Sequence, residues 1–216
     1  MIVAIEGIDG AGKNTLVRAL YGAVDVPVST LAFPRYDVSI HAQLAREALY
    51  GRMGDLTESA YAMATLFALD RHGALAQLQA AAADNSRLLL LDRYVASNAA
   101  YSAARLGDDA VMEWVFDLEY GTLGLPQPDL QVFVDTDVEV AAERAARRAA
   151  EDPSREKDEY EKDGRLQHET AAAYRRLAEA EWGGQWLVSA DTGKIAEAVA
   201  AFARTRSRAA VPSPNN

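Results

Sequence analysis

Residues 1–23 read MIVAIEGIDGAGKNTLVRALYGA and decide the fold of the chain. A short apolar strand over 2–6 runs into a glycine-rich turn, and the turn runs into a helix over 13–23. The order of strand, G-x-x-x-x-G-K and helix is typical of a phosphate-binding loop, although a chance match in a β-α turn is the alternative. Glycines let several backbone N–H groups converge on one oxyanion, and the helix N-terminus adds its positive end.

The position after Lys13 departs from this pattern. Ser or Thr, whose hydroxyl binds Mg²⁺, is replaced by Asn14, and Thr15 follows one residue later. An amide oxygen is a poorer ligand for a hard cation, so either Thr15 takes part or carboxylates elsewhere hold the metal. We predict that the following loop residues bind the phosphates of a nucleotide: Gly7, Asp9, Gly10, Ala11, Gly12, Lys13, Asn14 and Thr15.

Composition limits the partners of the chain. The 216 residues carry 22 Lys and Arg against 32 Asp and Glu, a net charge of −10 that repels a nucleic-acid backbone. Cysteine is absent, which excludes disulfides and thiolate metal sites. The sequence has no basic region before its first apolar run, so we expect no signal peptide. It also has no apolar stretch of about 18 residues, so we expect no membrane span. The expectation is a cytoplasmic protein.

Apolar runs that alternate with helical patterns predict an α/β fold. Strands are predicted at 2–6, 28–33, 87–92, 130–135 and within 183–191. Helices are predicted at 13–23, 38–50, 57–83, 95–106, 109–120 and 137–150, before Trp182, and at 193–205. This order implies a doubly wound, mainly parallel five-stranded sheet with helices on both faces and ligands at the carboxyl ends of its strands. One domain over 1–205 and a disordered tail over 206–216 are expected.

The predicted helix over 57–83 is unusually long, with Asp55 or Thr57 as its cap. Its apolar residues occupy more than one stripe, so one face is a candidate contact with a second subunit. Met63, Phe67 and Arg71 are four apart and form one ridge. Phe67 could stack under a heteroaromatic base while Arg71 binds a carbonyl oxygen of that base. The simpler alternative is a core Phe with a surface Arg.

Asp92 ends the most apolar predicted strand, and Arg93 follows it. An Asp there resembles the carboxylate that holds Mg²⁺ or its waters beside a phosphate loop, and a cap for the next helix is the alternative. The Arg93 guanidinium suits bidentate binding of a phosphate. Asn98 and Tyr101 follow at helical spacing and give that helix a polar, aromatic face.

Residues 144–160 are densely charged and predict a mobile lid. Arg144, Arg148 and Arg155 would neutralise charge on a transferring phosphoryl group from such a lid. A solvated surface helix with charge pairs is the usual alternative for such a run.

Four segments together resemble the thymidylate kinase family, in particular its mycobacterial-like members. They are EGIDGAGKNTL at 6–16, LAFPRY at 31–36, FALDR at 67–71 and DRYVASNAAYSAARL at 92–106. The resemblance spans residues 1–205 and implies a P-loop NTPase-type fold and transfer of the γ-phosphoryl group of MgATP to dTMP. It also implies a homodimer, with no nucleic acid or membrane as partner.

The resemblance also implies residue roles. Phe67 would stack on thymine, Arg71 and Asn98 would contact the base edge, and Tyr101 would lie near C2′ of the sugar. Tyr36 and Arg93 would hold the phosphate of dTMP, in a pocket shaped by Phe33 and Pro34 with a cis bond between them. Asp9 would lie near the 3′-hydroxyl and the metal. Asp158, Tyr160 and Glu161 would follow the lid, with Glu161 as a second metal ligand. The chemical step is assigned to Lys13, Asp9, Asp92, Arg93, Arg144, Arg148 and Arg155.

Two other functions fit the same residues less well. A kinase of the same architecture would act on another nucleotide or on a deoxynucleoside. A P-loop ATPase or binding switch would hydrolyse ATP without an acceptor and would present a partner surface.

Overall fold

The computed structural model describes residues 1–151, 160 and 163–209, without the side chains of residues 148, 149 and 151. Its centre is a parallel sheet in the order β2-β3-β1-β4-β5. The strands are β1 (Ile2–Glu6), β2 (Val28–Ala32), β3 (Leu88–Asp92), β4 (Leu130–Val134) and β5 (Trp186–Ser189). The predicted five-stranded parallel α/β sheet is confirmed.

Helices cover both faces of this sheet. They are α1 (Lys13–Ala23), α2 (Ile40–Leu49), α3 (Ala60–His72), α4 (Leu75–Ala82), α5 (Val95–Leu106), α6 (Ala110–Phe116), α7 (Val138–Glu151), α8 (Gly164–Glu179) and α9 (Thr192–Ala209). A 3₁₀ turn spans Gly54–Glu58 and a π-helical turn spans Asp117–Thr122. No described helix has the length and apolar character needed to span a bilayer.

Two cores lie on opposite faces of the sheet because successive strand side chains point to opposite sides. Ile2 and Ala4 of β1 pack into the core that contains α5 and α8. Val3 and Ile5 pack into the core that contains α1 and α9. All of β1 is buried, as expected for a central strand covered on both faces.

The prediction of one helix over 57–83 is wrong, because the chain breaks between α3 and α4. The α3 cap is Ser59, whose hydroxyl accepts from the Ala62 amide. Thr57 instead donates its hydroxyl to the Ala48 carbonyl. At the other end, a Cβ on Gly73 would stand 2.6 Å from Nη2 of Arg35, so the helix ends where another loop packs on it.

Two other predicted boundaries change. The predicted helix over 109–120 becomes α6 followed by the π-helical turn. The tail predicted from residue 206 is wrong for 206–209, which complete α9. Residues 210–216 lie outside the described part of the chain.

Candidate active site

The loop between β1 and α1 needs glycine for two physical reasons. Gly7, Gly10 and Gly12 have φ of 148°, 85° and 103°, a region that side chains disfavour. A Cβ on Gly10 would also overlap the Ala141 carbonyl oxygen. The loop is therefore packed closely against α7, and its backbone forms the concave turn that an oxyanion requires.

Lys13 opens α1 and points back under the loop. Its Nζ donates to the carbonyls of Gly7 and Ile8, each at 3.0 Å. Burial first, and the Arg93 cation second, lower the pKa of Lys13 to about 8. The ammonium is thus held beside the loop as a buried cation that phosphate would favour.

Arg93 follows β3 and lies across the cleft from the loop. Its Nη2 donates to Oδ1 of Asp9 at 2.6 Å, and Tyr101 donates its hydroxyl to Oδ2 of Asp9 at 3.1 Å. Burial raises the pKa of Asp9, but the Arg93 and Lys13 cations outweigh it and hold that pKa at about 2. Two cations and one carboxylate therefore meet where the carboxyl ends of β1 and β3 lie side by side.

A second acid, Glu6 of β1, binds residues at the start of α5, next to Arg93. It is fully buried and accepts from the Tyr94 amide at 2.8 Å, from Ser97 at 2.6 Å and from the Tyr174 hydroxyl at 3.0 Å. Burial raises its pKa. The Ser97 hydroxyl also lies 3.4 Å from Nη1 of Arg93. The network therefore fixes the start of α5 directly under Arg93.

A cavity of about 340 Å³ opens beside Arg93. Ten residues proposed from sequence for the acceptor or for the metal are brought together in its wall: Asp9, Phe33, Pro34, Tyr36, Phe67, Arg71, Arg93, Asn98, Tyr101 and Tyr160. The volume suits one small ligand. The Phe33–Pro34 bond is cis, as expected.

The far wall of the cavity is polar and buried. Arg71 of α3 is 3% exposed, so the alternative of a surface Arg is wrong. It pairs with Glu119 of the π-helical turn, and Asn98 of α5 donates to the same carboxylate. Burial disfavours the Arg71 cation, but Glu119 outweighs it and raises the pKa of Arg71. Two polar side chains of this wall, Arg71 and Asn98, are therefore held by a third, Glu119, from another element.

The part of the predicted lid that is described begins in α7. A Cβ on Gly12 would lie 3.7 Å from Nη1 of Arg144, so this guanidinium is next to the phosphate loop. The side chain of Arg148 and all of Arg155, Asp158 and Glu161 lie outside the described residues, and their roles stay predictions.

Comparison with known proteins decides between the families that share this loop. The family model described as thymidylate kinase matches residues 5–201. The thymidylate kinase of Mycobacterium tuberculosis is 51% identical over 209 residues, covering 93% of this chain and 97% of that protein. The chain belongs to the thymidylate kinase family.

More distant thymidylate kinases share part of the sequence or the fold. That of Rhodopseudomonas palustris is 34% identical over 155 residues, covering 71% of this chain and 66% of the relative. A solved thymidylate kinase from Candida albicans superposes with a TM-score of 0.70 at 20% identity, over 94% of this chain and 91% of its own, and shows a shared fold. The predicted membership of the family, mycobacterial-like members included, is confirmed.

The described residues of this thymidylate kinase family member offer few free ligands for the Mg²⁺ that the sequence resemblance implies. Oδ1 of Asp92 is buried and has no hydrogen-bond partner there, so it is available to a cation or to its waters. The start of α5 has no side-chain cap, which leaves the helix-capping role of Asp92 unsupported. Both oxygens of Asp9 accept hydrogen bonds. Within the described ranges no three acidic, His or Cys side chains are clustered for a metal.

Several cavity residues carried no distinctive sequence pattern. Arg46, Leu49 and Tyr50 line the cavity from α2 and its C-terminal end, but a helix with mixed charge and apolar residues is common on protein surfaces. Glu119 sits in a short helical stretch among other acids, where an exposed residue is expected. Only tertiary proximity shows that it is 0% exposed and bonded to two predicted site residues.

Proposed function

We propose that this chain transfers the γ-phosphoryl group of ATP to dTMP and forms dTDP and ADP. The observation that carries the proposal is one cleft with a phosphate loop on one side and a base-sized cavity on the other, joined by Arg93. Membership of the thymidylate kinase family supports the same reaction.

The donor side belongs to the phosphate loop. Backbone N–H groups from Gly7 to Thr15 would hold the ATP phosphates, with Asn14 and Thr15 exposed at the start of α1. Lys13 would leave its contacts with the loop carbonyls for the terminal phosphates as a point charge. Arg144, placed beside Gly12, would neutralise charge that spreads over the transferring group.

The acceptor side belongs to the cavity. Phe67 would stack on the base, Arg71 and Asn98 would hydrogen-bond its edge, and Tyr101 would lie against the sugar. Arg93 and Tyr36 would hold the acceptor phosphate. A phosphate monoester oxygen is already anionic, so positioning and charge neutralisation supply most of the rate without a strong base.

Asp92 is the described carboxylate best suited to Mg²⁺, and Asp9 and Glu161 stay predicted ligands. When bound, Mg²⁺ would offset the charge of the donor phosphates. We also propose one domain over 1–205 with a mobile lid near 144–160. The guanidinium of Arg144, next to Gly12, supports a role for the start of this segment at the phosphate loop. The substrates, ATP and dTMP, lead us to place the enzyme in the cytoplasm.

We further infer a homodimer. Tyr61 of α3 is 46% exposed and packs edge-on against Trp114 of α6, with ring centroids 4.8 Å apart. We take this partly exposed aromatic pair as the centre of the subunit contact, because Tyr and Trp are enriched among the residues that dominate interfaces.

A phosphate-transfer assay tests the proposed reaction. The full chain with ATP and Mg²⁺ is offered dTMP, dCMP, dGMP, thymidine or no acceptor, and the phosphorylated products are separated and counted. We expect dTDP as the main product and slow hydrolysis without acceptor. Preference for another acceptor would support the alternative kinase, and acceptor-independent hydrolysis would support the ATPase switch.

A further inference from the structure

Glu119 lies behind the base-facing wall, and the reaction described above gives it no task. Its Oε2 accepts from Nε of Arg71 at 2.5 Å. Its Oε1 accepts from Nη2 of Arg71 at 2.7 Å and from Nδ2 of Asn98 at 2.7 Å. A buried carboxylate is costly to desolvate unless it is paired and hydrogen-bonded. These three bonds therefore supply partners to a carboxylate at a position with 0% exposure.

The bond from Asn98 fixes which way its side-chain amide points. The other N–H of Nδ2 donates to the Ala64 carbonyl at 3.0 Å, so both amide hydrogens are used. A flipped amide would set Oδ1 against two acceptors, the Ala64 carbonyl and the Glu119 carboxylate. Because that arrangement is repulsive, Asn98 can offer a ligand in the cavity only the acceptor Oδ1.

Arg71 is oriented by the same carboxylate. Glu119 takes the Nε hydrogen and one Nη2 hydrogen, which leaves the other guanidinium N–H groups as donors. Since both Arg71 and Asn98 line the cavity, its wall presents a donor beside an acceptor. A thymine or uracil edge, with the O4 acceptor beside the N3–H donor, complements this pair. Cytosine presents the reverse, a 4-amino donor beside the N3 acceptor.

We propose that Glu119 is the positioning residue through which the acceptor site selects a 4-oxo over a 4-amino pyrimidine. The inference rests on the proposed function and names the source of its base specificity. Glu119 acts through Arg71 and Asn98 and makes no contact with the substrate itself. Its loss removes one of the two acceptors that orient the Asn98 amide and removes the partner of a buried guanidinium.

The local backbone is consistent with this role. Glu119 lies in the π-helical turn, where the Leu123 amide donates to the Leu118 carbonyl at 2.8 Å. A π-turn adds one residue to the helical repeat and so redirects the following side chains by about 100°. The Leu125 amide donates to the Glu119 carbonyl at 3.0 Å and anchors the turn from the other side. Such turns occur frequently at functional sites.

Glu119→Gln is the direct test, with Asp117→Asn as matched control. Both remove one carboxylate from the same turn, but Asp117 is exposed. The glutamine side chain keeps the volume of the glutamate and turns an N–H₂ toward existing donors. We expect the ratio of kcat/KM for dTMP to that for dCMP to fall about 10- to 100-fold, mainly through a higher KM for dTMP. The control should keep the wild-type ratio of the two kcat/KM values. A partial loss of folded protein would lower the apparent kcat/KM for both substrates equally and leave their ratio unchanged.

An unchanged ratio in folded Glu119→Gln would overturn the inference. If that variant does not fold, the wild-type protein tests the donor and acceptor polarity that Glu119 is proposed to impose, using dTMP, dCMP and N3-methyl-dTMP as acceptors. Both dCMP and the N3-methylated analogue should be poorer than dTMP by about 10²-fold or more. Comparable use of dCMP and dTMP would refute the assigned polarity while leaving the kinase activity intact. Wild-type protein inert toward dTMP with MgATP would instead refute the proposed function.

Discussion

Arg93 adopts a left-handed backbone conformation, with φ of 65°, directly after β3. A non-glycine residue there carries strain of about 1–3 kcal/mol, which persists only where neighbouring contacts impose it. Here the Arg93 amide donates to the Ile5 carbonyl at 2.9 Å while the guanidinium reaches Asp9. The strained backbone thus lies where β3 meets the phosphate loop, and contacts of both the Arg93 amide and its guanidinium hold it there.

Lys13 and Arg93 serve opposite substrates in the proposed reaction, so their loss should be distinguishable. Lys13→Ala and Arg93→Ala should each lower kcat about 10²-fold or more, as expected for a lost transition-state contact. Lys13→Ala should also raise KM for ATP, and Arg93→Ala should raise KM for dTMP. Steady-state kinetics with both substrates varied measures this. Arg18→Ala, on the exposed side of α1, is the control; near-normal turnover in either test variant would contradict the assignment.

The pKa of Lys13 predicts how ATP use depends on pH. Burial and the Arg93 cation lower this pKa to about 8. Protonated Lys13 is the form that attracts phosphate, so kcat/KM for ATP should fall as the pH rises through about 8. Bound ATP brings negative charge that favours the cation, so kcat should decline only at a higher pH. Initial rates from about pH 7 to about pH 10 at constant ionic strength test this; a flat kcat/KM profile would count against it.

In the phosphate loop, one glycine is required both by its backbone conformation and by packing against α7. Gly10→Ala would combine φ of 85° with a Cβ that overlaps the Ala141 carbonyl oxygen, which must push α7 away. We expect a loss of at least about 1–3 kcal/mol of folding free energy and weaker ATP binding. Gly22→Ala in α1 is the matched control, since a Cβ there meets nothing within 4 Å. It should stabilise the protein by about 0.4–1 kcal/mol. Urea unfolding of both variants measures the difference, and equal stabilities would refute this account of Gly10.

Elements defined by local pattern were predictable, and elements defined by distant contacts were not. The apolar runs of β1 and β3 and the glycines of the loop carry their structure in their own sequence. At the break after α3, Arg35 from a distant loop donates its amide to Oδ2 of Asp70 at 2.9 Å and packs against Gly73. No residue near 73 indicates this, because Gly within a helical pattern is often tolerated.

The residues around the acceptor cavity likewise include some that the sequence predicts and one that it does not. Phe67, Arg71 and Asn98 could be proposed from helical spacing together with a family resemblance, and the structure places all three in one cavity. Their supporting carboxylate could not be proposed, because Glu119 reaches Arg71 and Asn98 from 48 and 21 residues away in sequence. Patterns along the chain indicate which residues face a ligand. They do not indicate which buried groups hold those residues in place.

At the scale of the whole molecule, two cations lie together in a chain whose net charge is negative. The chain carries −10 overall, yet Lys13 and Arg93 meet at the carboxyl ends of two adjacent strands. A net charge of −10 disfavours nucleic acid but leaves short-range binding of a nucleotide intact, because charge interactions beyond about 10 Å are screened at moderate salt.

The proposed homodimer connects the surface of α3 to the acceptor wall on its other side. Phe67 and Arg71 lie on the same helix as the exposed Tyr61, so a subunit contact there would also hold the wall in place. Light scattering should give the wild type twice the 23.4 kDa mass of the chain. Tyr61→Glu should give a monomer with a higher KM for dTMP, because burying an unpaired carboxylate opposes association. Tyr21→Glu, a 52% exposed tyrosine on α1, should leave both properties unchanged. A monomeric wild type would refute the dimer, and a monomeric Tyr61→Glu with unchanged KM would separate assembly from base binding.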